Sequence, residues 1–393
     1  MGLFNLNKEK ETPIVQPQND GASLMDSVIR LAASSQLPSI FEERRNEWVS
    51  YGANNDFPKY LETLYNSSPT HQAIVDSKAL IVAGESYTYD DSLLTLEQKQ
   101  ILEQTLQFID GKHTIEEFIS DVAKDLELYG AISTEIIWSL DRTKWVRAKR
   151  VSPKYIRSGK FVDDEVEEYF YSRNWADRKA EITQISAFDV TNKEDGRQLL
   201  YTPLSMTTNE YYGEPSYLAS LNWISLESQC GEYYKSLLDN NFSPSMLVSF
   251  FRKPANMEEK DAIVRGLKES FGGSKNAGKV IVSFNQDKET AAEIKPIEVA
   301  NVDKQFLVLA EQIQSKILTG GRITTPELLG ITTAGQLGNA DFASQVEAFQ
   351  KFVIAPSQKI INILINKLLR INGFDVNFEI VPYTLTANTT PKA

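Results

Sequence analysis

The chain has 393 residues, of which 41% are hydrophobic and 24% charged, a composition typical of soluble globular proteins with two or three domains. Its net charge of −12 disfavours tight binding of nucleic acid, because Lys and Arg supply most of the affinity for phosphate groups. No apolar run approaches the roughly 18 residues of a membrane span, so we expect no membrane association. The single cysteine, Cys230, excludes an internal disulfide and is expected to be a small buried side chain rather than a nucleophile.

The first half of the chain predicts a domain that contains both helices and strands. Residues 1–21 are polar, so we expect a disordered arm, and the domain itself covers 22–210. Thr114 and Glu117 have the spacing of a capping box, and Gly130 is expected to end the helix that follows. Apolar spacing and turn residues predict helices at 71–82, 96–109 and 115–129, and strands at 134–139, 145–148, 166–171 and 199–201. Helices followed by strands favour an α+β domain over a doubly wound sheet.

The second half predicts long helices around a small mixed segment. In chain order we predict a helix from residue 217 within 211–240, a strand-helix-strand insert over 241–302, a second long helix over 303–320, a turn and polar loop over 321–341, a helix over 342–373, and a tail over 374–393. Asp303 is expected to be the N-cap of the second helix. Pro356 is expected to kink the last helix, because it lacks a backbone N–H and its ring clashes with the preceding turn.

A glycine-rich segment at 273–279 has the spacing of a phosphate-binding loop up to Lys279. Val280 stands where such a loop needs a Ser or Thr hydroxyl for Mg²⁺. A predicted helix precedes the segment and a predicted strand follows it, which is the reverse of the required order. We therefore interpret the segment as a turn that leads into a strand. Measuring the nucleotide affinity of the unchanged protein and of Lys279→Ala tests the ATPase alternative. We expect neither protein to bind nucleotide.

Other candidate chemistry is sparse. The acidic runs at 163–168 and at Asp90 and Asp91 lack a histidine or a metal-loop spacing, so we interpret them as solvated faces, and no metal or cofactor is expected. The two histidines, His71 and His113, are expected to be packing or surface residues. No serine lies in a Gly-x-Ser-x-Gly motif, so no catalytic residue is predicted.

A basic patch between residues 142 and 157 allows two interpretations: a surface for nucleic acid, or a contact with the acidic run 163–168 of a neighbouring subunit. Its members are Arg142, Lys144, Arg147, Lys149, Arg150, Lys154 and Arg157. The nearby aromatic residues Tyr211, Tyr212 and Tyr217 are expected in a core or an interface rather than in a base-stacking platform.

Several segments resemble one known family. Residues 212–218, Tyr-Gly-Glu-Pro-Ser-Tyr-Leu, resemble the Tyr-Gly-x-Ser-Pro-Leu signature of portal proteins from tailed double-stranded DNA phages, with Pro and Ser exchanged and Tyr217 inserted. Further similar segments follow in the family's order, at 238–244, 276–282, 317–330 and 352–369. Together they cover roughly residues 130–370.

The resemblance implies a portal-like fold and a homo-oligomeric ring, by analogy a dodecamer, at one vertex of a capsid. It makes 22–210 a wing domain, 211–240 and 303–320 stem helices, 241–302 an α/β clip, 342–373 a kinked helix and 374–393 a reduced crown and tail. It also implies a tunnel loop beside the DNA, with Thr332, Thr333, Gly335, Gln336 and Asn339, and a clip surface with Ser274, Lys275 and Asn276 that faces the terminase and later the tail adaptor.

The implied function is a non-enzymatic channel for the packaging and ejection of DNA. The implied partners are the terminase large subunit, the major capsid protein, a head-tail adaptor, and double-stranded DNA that passes without sequence-specific contacts. The implied location is the virion, after assembly in the host cytoplasm. An oligomeric virion adaptor that does not admit DNA is the alternative within the structural class.

Overall fold

The computed structural model describes residues 38–177, 179–192, 194–239, 247–250, 257–259, 261–262, 265, 281–284, 302–323, 326–329 and 342–383. The helices are α1 (Phe57–Ser67), α2 (Pro69–Ala83), α3 (Leu96–Gln107), α4 (Ile115–Tyr129), α5 (Leu221–Asp239), α6 (Val302–Gly320), α7 (Phe342–Phe349) and α8 (Ala355–Ile371). The strands are β1 (Ile40–Glu42), β2 (Val49–Tyr51), β3 (Ser86–Thr88), β4 (Ala131–Trp138), β5 (Trp145–Arg150), β6 (Ile156–Ser158), β7 (Phe161–Val162), β8 (Glu165–Val166), β9 (Glu168–Tyr171), β10 (Thr183–Ala187), β11 (Arg197–Pro203), β12 (Leu247–Phe250), β13 (Ile281–Phe284) and β14 (Glu379–Val381). The predicted mixture of helices and strands is therefore confirmed, whereas the arm predicted over 1–21 lies outside the described residues.

Local capping signals begin and end α4 as the sequence predicts. The Thr114 hydroxyl accepts from the Glu117 N–H, and the Glu117 carboxylate accepts from the Thr114 N–H. Gly130 follows the helix with φ of 74°, a left-handed conformation that glycine adopts without steric cost.

A six-stranded sheet in the order β5-β4-β11-β10-β9-β6 follows these helices. The predicted hairpin is confirmed, since β4 and β5 pair antiparallel with Ile136 opposite Ala148. The strand predicted over 166–171 is divided into β8 and β9. The reason is a second hairpin, β7–β8, in which Val162 pairs with Glu165 around Asp163 and Asp164. These two aspartates have φ of 49° and 66°, as in the tight turn that Asp and Asn tolerate.

The long helices lie close to their predicted positions. A 3₁₀ turn, Leu218–Ser220, precedes α5, so the α-helix begins four residues later than the sequence predicts. Asp303 is not an N-cap, because α6 already includes it. Between α5 and α6, β12 and β13 pair in parallel. Parallel pairing requires a crossover, and residues 257–259, 261–262 and 265 are helical.

The last helix is interrupted just before Pro356 rather than at it. A π-helical turn, Gln350–Ile354, joins α7 to α8, and Pro356 lies in the first turn of α8. Proline cannot donate to the carbonyl four residues earlier, which belongs to Phe352. That carbonyl instead accepts from Arg322 Nη2 at 3.3 Å. At this interruption the Phe352 carbonyl therefore lacks its helical donor and has a replacement donor from just after α6.

One hydrophobic cluster joins the two halves of the chain. It contains Val82 and Leu102 from the first helices together with Phe349, Leu364 and Phe378 from the last segment. The sequence did not predict β14, which pairs antiparallel with β3 and brings residues 374–381 onto this core. The tail beyond residue 383 lies outside the described residues.

Residues Ser344–Ile371 form a stretch that is long and apolar enough to cross a bilayer by length and composition alone. Half of its most apolar window is buried inside the protein, as in the core helix of a globular domain.

Candidate functional site

The segment 212–218 that carries the family signature lies at a junction between α4 and the start of α5. Its backbone passes so close to the end of α4 that a Cβ on Gly213 would lie 2.1 Å from the Gly130 carbonyl oxygen. A Cβ on Gly130 would lie 2.3 Å from the carbonyl carbon of Glu214. Both positions therefore require glycine, which explains why one residue of the signature is a glycine.

Two tyrosines of the signature are buried and hydrogen-bonded. Tyr212 stacks on Tyr51 with ring centroids 3.9 Å apart, and its hydroxyl donates to the Val49 carbonyl at 2.5 Å. The Tyr217 hydroxyl donates to the Leu128 carbonyl at 2.5 Å. Burial raises the pKa of both phenols, so they remain neutral donors. This confirms the expectation of a packed core for Tyr212 and Tyr217, whereas Tyr211 is half-buried and its hydroxyl donates to Glu42.

A buried ion pair crosses the same junction. Lys78 of α2 and Glu127 of α4 are 2.5 Å apart, with side chains 4% and 2% exposed. Lys78 also donates to Ser216 Oγ at 3.1 Å, and Ser357 Oγ of α8 donates to Glu127 at 3.0 Å. Two helices of the first half, the signature segment and the last helix are therefore held by one polar network.

A second carboxylate, that of Glu227, connects α5 to the start of α2. It accepts from the Thr70 N–H at 3.3 Å, from the Thr70 hydroxyl at 2.5 Å, and from the Ser68 hydroxyl. A negative charge at a helix N-terminus is favourable, because the free N–H groups there carry partial positive charge. Next to it, the ring of His71 lies 4.2 Å from that of Tyr217, and burial lowers the pKa of His71 to about 3.

The predicted glycine break at the end of α6 is also a close contact. A Cβ on Gly320 would lie 1.7 Å from Ser220 Oγ, and a Cβ on Gly321 would lie 2.7 Å from Cγ2 of Ile74. Because neither glycine has a side chain, the end of α6 lies directly against Ser220, in the turn before α5, and against Ile74 of α2.

Chemically, the junction is built to hold helices in place. Among the described residues, no group of three or more His, Cys, Asp and Glu side chains is placed to bind a metal ion. Burial raises the pKa of the Cys230 thiol, which disfavours the nucleophilic thiolate. The polar groups at the junction pair with other parts of the same chain, so the junction holds α2, α4, α5 and α8 together.

Three of the seven basic residues predicted as a patch between 142 and 157 have acceptors in the same chain. Arg150 donates to both oxygens of Asp125 at 2.5 and 2.6 Å, and Lys154 pairs with Glu62 at 2.8 Å. Arg157 is buried and donates to the Asn55 side chain and carbonyl at 2.5 and 2.6 Å. Burial lowers the pKa of Arg157 to about 10. These three cations are therefore less available to a partner than the sequence suggested, whereas Lys144, Arg147 and Lys149 are exposed.

The residues predicted to face DNA or the terminase lie outside the described residues: Thr332, Thr333, Gly335, Gln336, Asn339, Ser274, Lys275 and Asn276. The described part nevertheless keeps the order that argues against a phosphate loop, with helical residues before the glycine-rich segment and β13 after it.

Sequence reasoning missed Lys78, Glu127 and Glu227. Helical spacing offered one signal, because Lys78 shares the apolar face of α2 with Ile74, Val75 and Val82.

Comparisons with solved structures identify the fold. A chain in the virion of a native gene transfer agent particle superposes with a TM-score of 0.55 at 15% identity, covering 91% of this chain and 89% of that one. A chain in the neck of the native particle, computed with C12 symmetry, gives 0.55 at 16% identity over the same shares of 91% and 89%. An HK97 family phage portal protein from Corynebacterium diphtheriae gives 0.47 at 11% identity, covering 81% and 94%.

No family model matches the sequence, and no curated protein matches it. The structural comparisons, in contrast, show that the chain shares its fold, over nearly its whole length, with a protein from the neck of gene transfer agent particles.

Proposed function

We propose that this chain is a portal protein. Copies of it form a ring at one capsid vertex, with a central channel through which double-stranded DNA enters during packaging and leaves during ejection. The observation that carries the proposal is the fold shared with a virion neck protein over 91% of the chain. The junction adds to it, because the signature residues that resemble the portal motif are the ones that anchor α5 to the folded body.

In this proposal the protein is structural and non-enzymatic, and its ring is held by heterologous contacts that close by rotation. The segment 241–302 faces the terminase large subunit and later the head-tail adaptor, and the body contacts the major capsid protein. The loop that contains Thr332, Thr333, Gly335, Gln336 and Asn339 lies beside the DNA. The negative net charge favours this role, since like charge limits adhesion of the passing DNA.

Purified protein examined by native mass spectrometry and negative-stain imaging tests the ring. We expect closed rings, with twelve copies as the resemblance implies, and a central hole wide enough for duplex DNA. A monomer that persists at high concentration contradicts the proposal. Rings without a passage favour the adaptor alternative.

The docking surface has a test of its own. Replacing Ser274, Lys275 and Asn276 together by Ala is expected to leave rings intact and to weaken capture of the terminase large subunit. Lys112→Ala, at an exposed position outside 241–302, is the control. Unchanged capture by the triple variant would remove these residues from the interface.

A further inference from the structure

A groove of about 1000 Å³ runs along the exposed face of α8. Its walls include Trp138 at the end of β4, Val190 after β10, and the α8 residues Lys359, Ile363 and Lys367. These α8 residues recur every four positions, so they form one stripe along the helix. Ile363, the apolar member of this stripe, is 57% exposed.

The stripe is cationic in an acidic protein. The helix Ala355–Ile371 contains Lys359, Lys367 and Arg370 and no acidic residue. Among the described residues, Lys359 has no ion-pair partner, Lys367 lies 4.7 Å from the centroid of the Phe188 ring, and Arg370 is 3.9 Å from Asp375. Glu379 also lines the groove, so its walls carry one carboxylate besides these cations. Lys359 and Lys367 are exposed there and can contact a partner.

The β7–β8 hairpin has the opposite character. Asp163, Asp164 and Glu165 are exposed and pair with no cation in the part of the chain that the structure describes, and exposed Glu167 follows them. Val162, which is 48% exposed, adds an apolar side chain beside these carboxylates. The hairpin and the groove are thus complementary in charge, and each presents an exposed apolar residue.

The hairpin and the Trp138 end of the groove belong to different strands, although the Glu167 carbonyl at the base of the hairpin accepts from the Ala187 N–H, next to the Phe188 ring over which Lys367 lies. The hairpin continues from β6, an edge strand, whereas Trp138 of the groove belongs to β4, separated from β6 by β11, β10 and β9. At about 4.8 Å per strand spacing this separation is roughly 19 Å. A closed ring needs two different complementary surfaces on each subunit, one for each neighbour.

We propose that the groove along α8 receives the acidic hairpin 161–166 of the neighbouring copy. This inference rests on the proposed ring. It differs from the contact of the hairpin with the basic patch that the sequence suggested, because three of the seven cations of that patch have acceptors in the same chain. The contact is heterologous, so every subunit offers its groove to one neighbour and its hairpin to the other.

Charge-reversal variants of the full chain test the contact. The groove variant is K359E with K367E, and the hairpin variant is E165K with E167K, which avoids the left-handed turn residues. Each variant alone is expected to reduce the ring fraction in native mass spectrometry at least about tenfold, because like charges in contact cost more than 1.4 kcal/mol. The chain carrying all four changes is expected to recover rings.

Mixing the two purified variants gives the sharpest result. The reversed groove matches the reversed hairpin, and the two unchanged surfaces match each other, so alternating rings with equal numbers of both variants are expected. The turn variant D163N with D164G removes charge while keeping a favourable turn, and it is expected to weaken rings without loss of fold by circular dichroism. R45E with K112E, at exposed sites elsewhere, controls for the change in net charge.

The outcomes separate this inference from the function on which it rests. Absence of rings from the unchanged chain contradicts the portal function itself. Rings from the unchanged chain that persist in both reversal variants overturn only the groove contact. Rings that persist while the groove variant alone loses packaged DNA also overturn it, because the stripe would then contact DNA.

Discussion

At Gly213 the backbone of the signature segment passes directly over the carbonyl of Gly130. Gly213→Ala is expected to destabilise the protein by more than about 2 kcal/mol, because the new methyl group has no space and the backbone must move. Gly231→Ala is the matched control. Gly231 lies inside α5 with nothing within 4 Å of its added Cβ, so alanine is expected to stabilise the helix by about 0.5–1 kcal/mol. Denaturant unfolding measures both, and equal effects would contradict the close contact.

The Lys78–Glu127 pair is buried with its hydrogen-bond partners, so removing one charge leaves the other without compensation. Glu127→Gln is expected to cost about 3–5 kcal/mol of unfolding free energy. Lys99→Met breaks the partly exposed pair with Asp91 and is expected to cost no more than about 1 kcal/mol. Comparable losses in urea titrations of the two variants would show that the buried network does not hold the junction.

His71 makes stability depend on pH. Burial holds its pKa at about 3 in the folded protein, against 6.5 for a free imidazole. As the pH falls below 6.5 the unfolded chain therefore takes up a proton that the folded chain does not. The contribution of His71 to stability is complete above that pH and declines toward pH 3.

Replacement by Phe keeps a planar ring against Tyr217 and removes the titration. The unfolding free energy of the unchanged protein is expected to fall relative to His71→Phe by about 3 kcal/mol between pH 7.5 and 4. His113 gives a pH dependence of stability with the opposite sign, because its hydrogen bond with Asp110 raises the pKa of its exposed imidazole. The stability that the protonated His113 contributes is lost as the pH rises. Parallel pH profiles for the unchanged protein and His71→Phe would refute the assignment.

Among the elements, the π-helical turn Gln350–Ile354 behaves as one extra residue in a continuous helix. Deleting Lys351, which is exposed, is expected to convert this turn to α-helix with a cost of about 1–2 kcal/mol, since the helices on both sides keep their buried faces. Deleting exposed Lys367 from the regular part of α8 rotates Leu368 and Leu369 out of the core and is expected to prevent folding. Thermal melting followed by circular dichroism distinguishes the two, and equal damage would contradict the one-residue insertion.

For the whole molecule, the loop that we propose to lie beside the DNA is predicted to matter after assembly rather than for it. Gly335 stands in an uncharged, glycine-bearing segment between two helices and lies outside the described residues. Gly335→Pro is expected to leave rings intact and to reduce the amount of packaged DNA, because proline restricts the backbone of the loop. Gly335→Ala is the milder control. Loss of ring assembly in the proline variant would show that the loop is misplaced.

Much of the secondary structure was predictable because its signals are local. Thr114 and Glu117 are three residues apart, and the β4–β5 hairpin turns within a few residues. The pairing of β14 with β3 was not predictable, since it joins segments far apart in sequence and each strand has only three residues. The burial of Arg157 was missed for the same reason, because its acceptor Asn55 belongs to another segment.

The sequence alone determined most of the helices, the β4–β5 hairpin and the motifs that resemble portal proteins, because caps, turns and apolar periodicity act over a few neighbouring residues. Only the tertiary structure decided which charged side chains pair within the chain and which are exposed. It placed Arg150, Lys154 and Arg157 against partners in the same chain and left Lys359 and Lys367 on an exposed stripe. It also brought Gly130 and Gly213 into contact. Such contacts depend on how segments far apart in the sequence pack against each other, and the spacing of residues along the sequence does not reveal that packing.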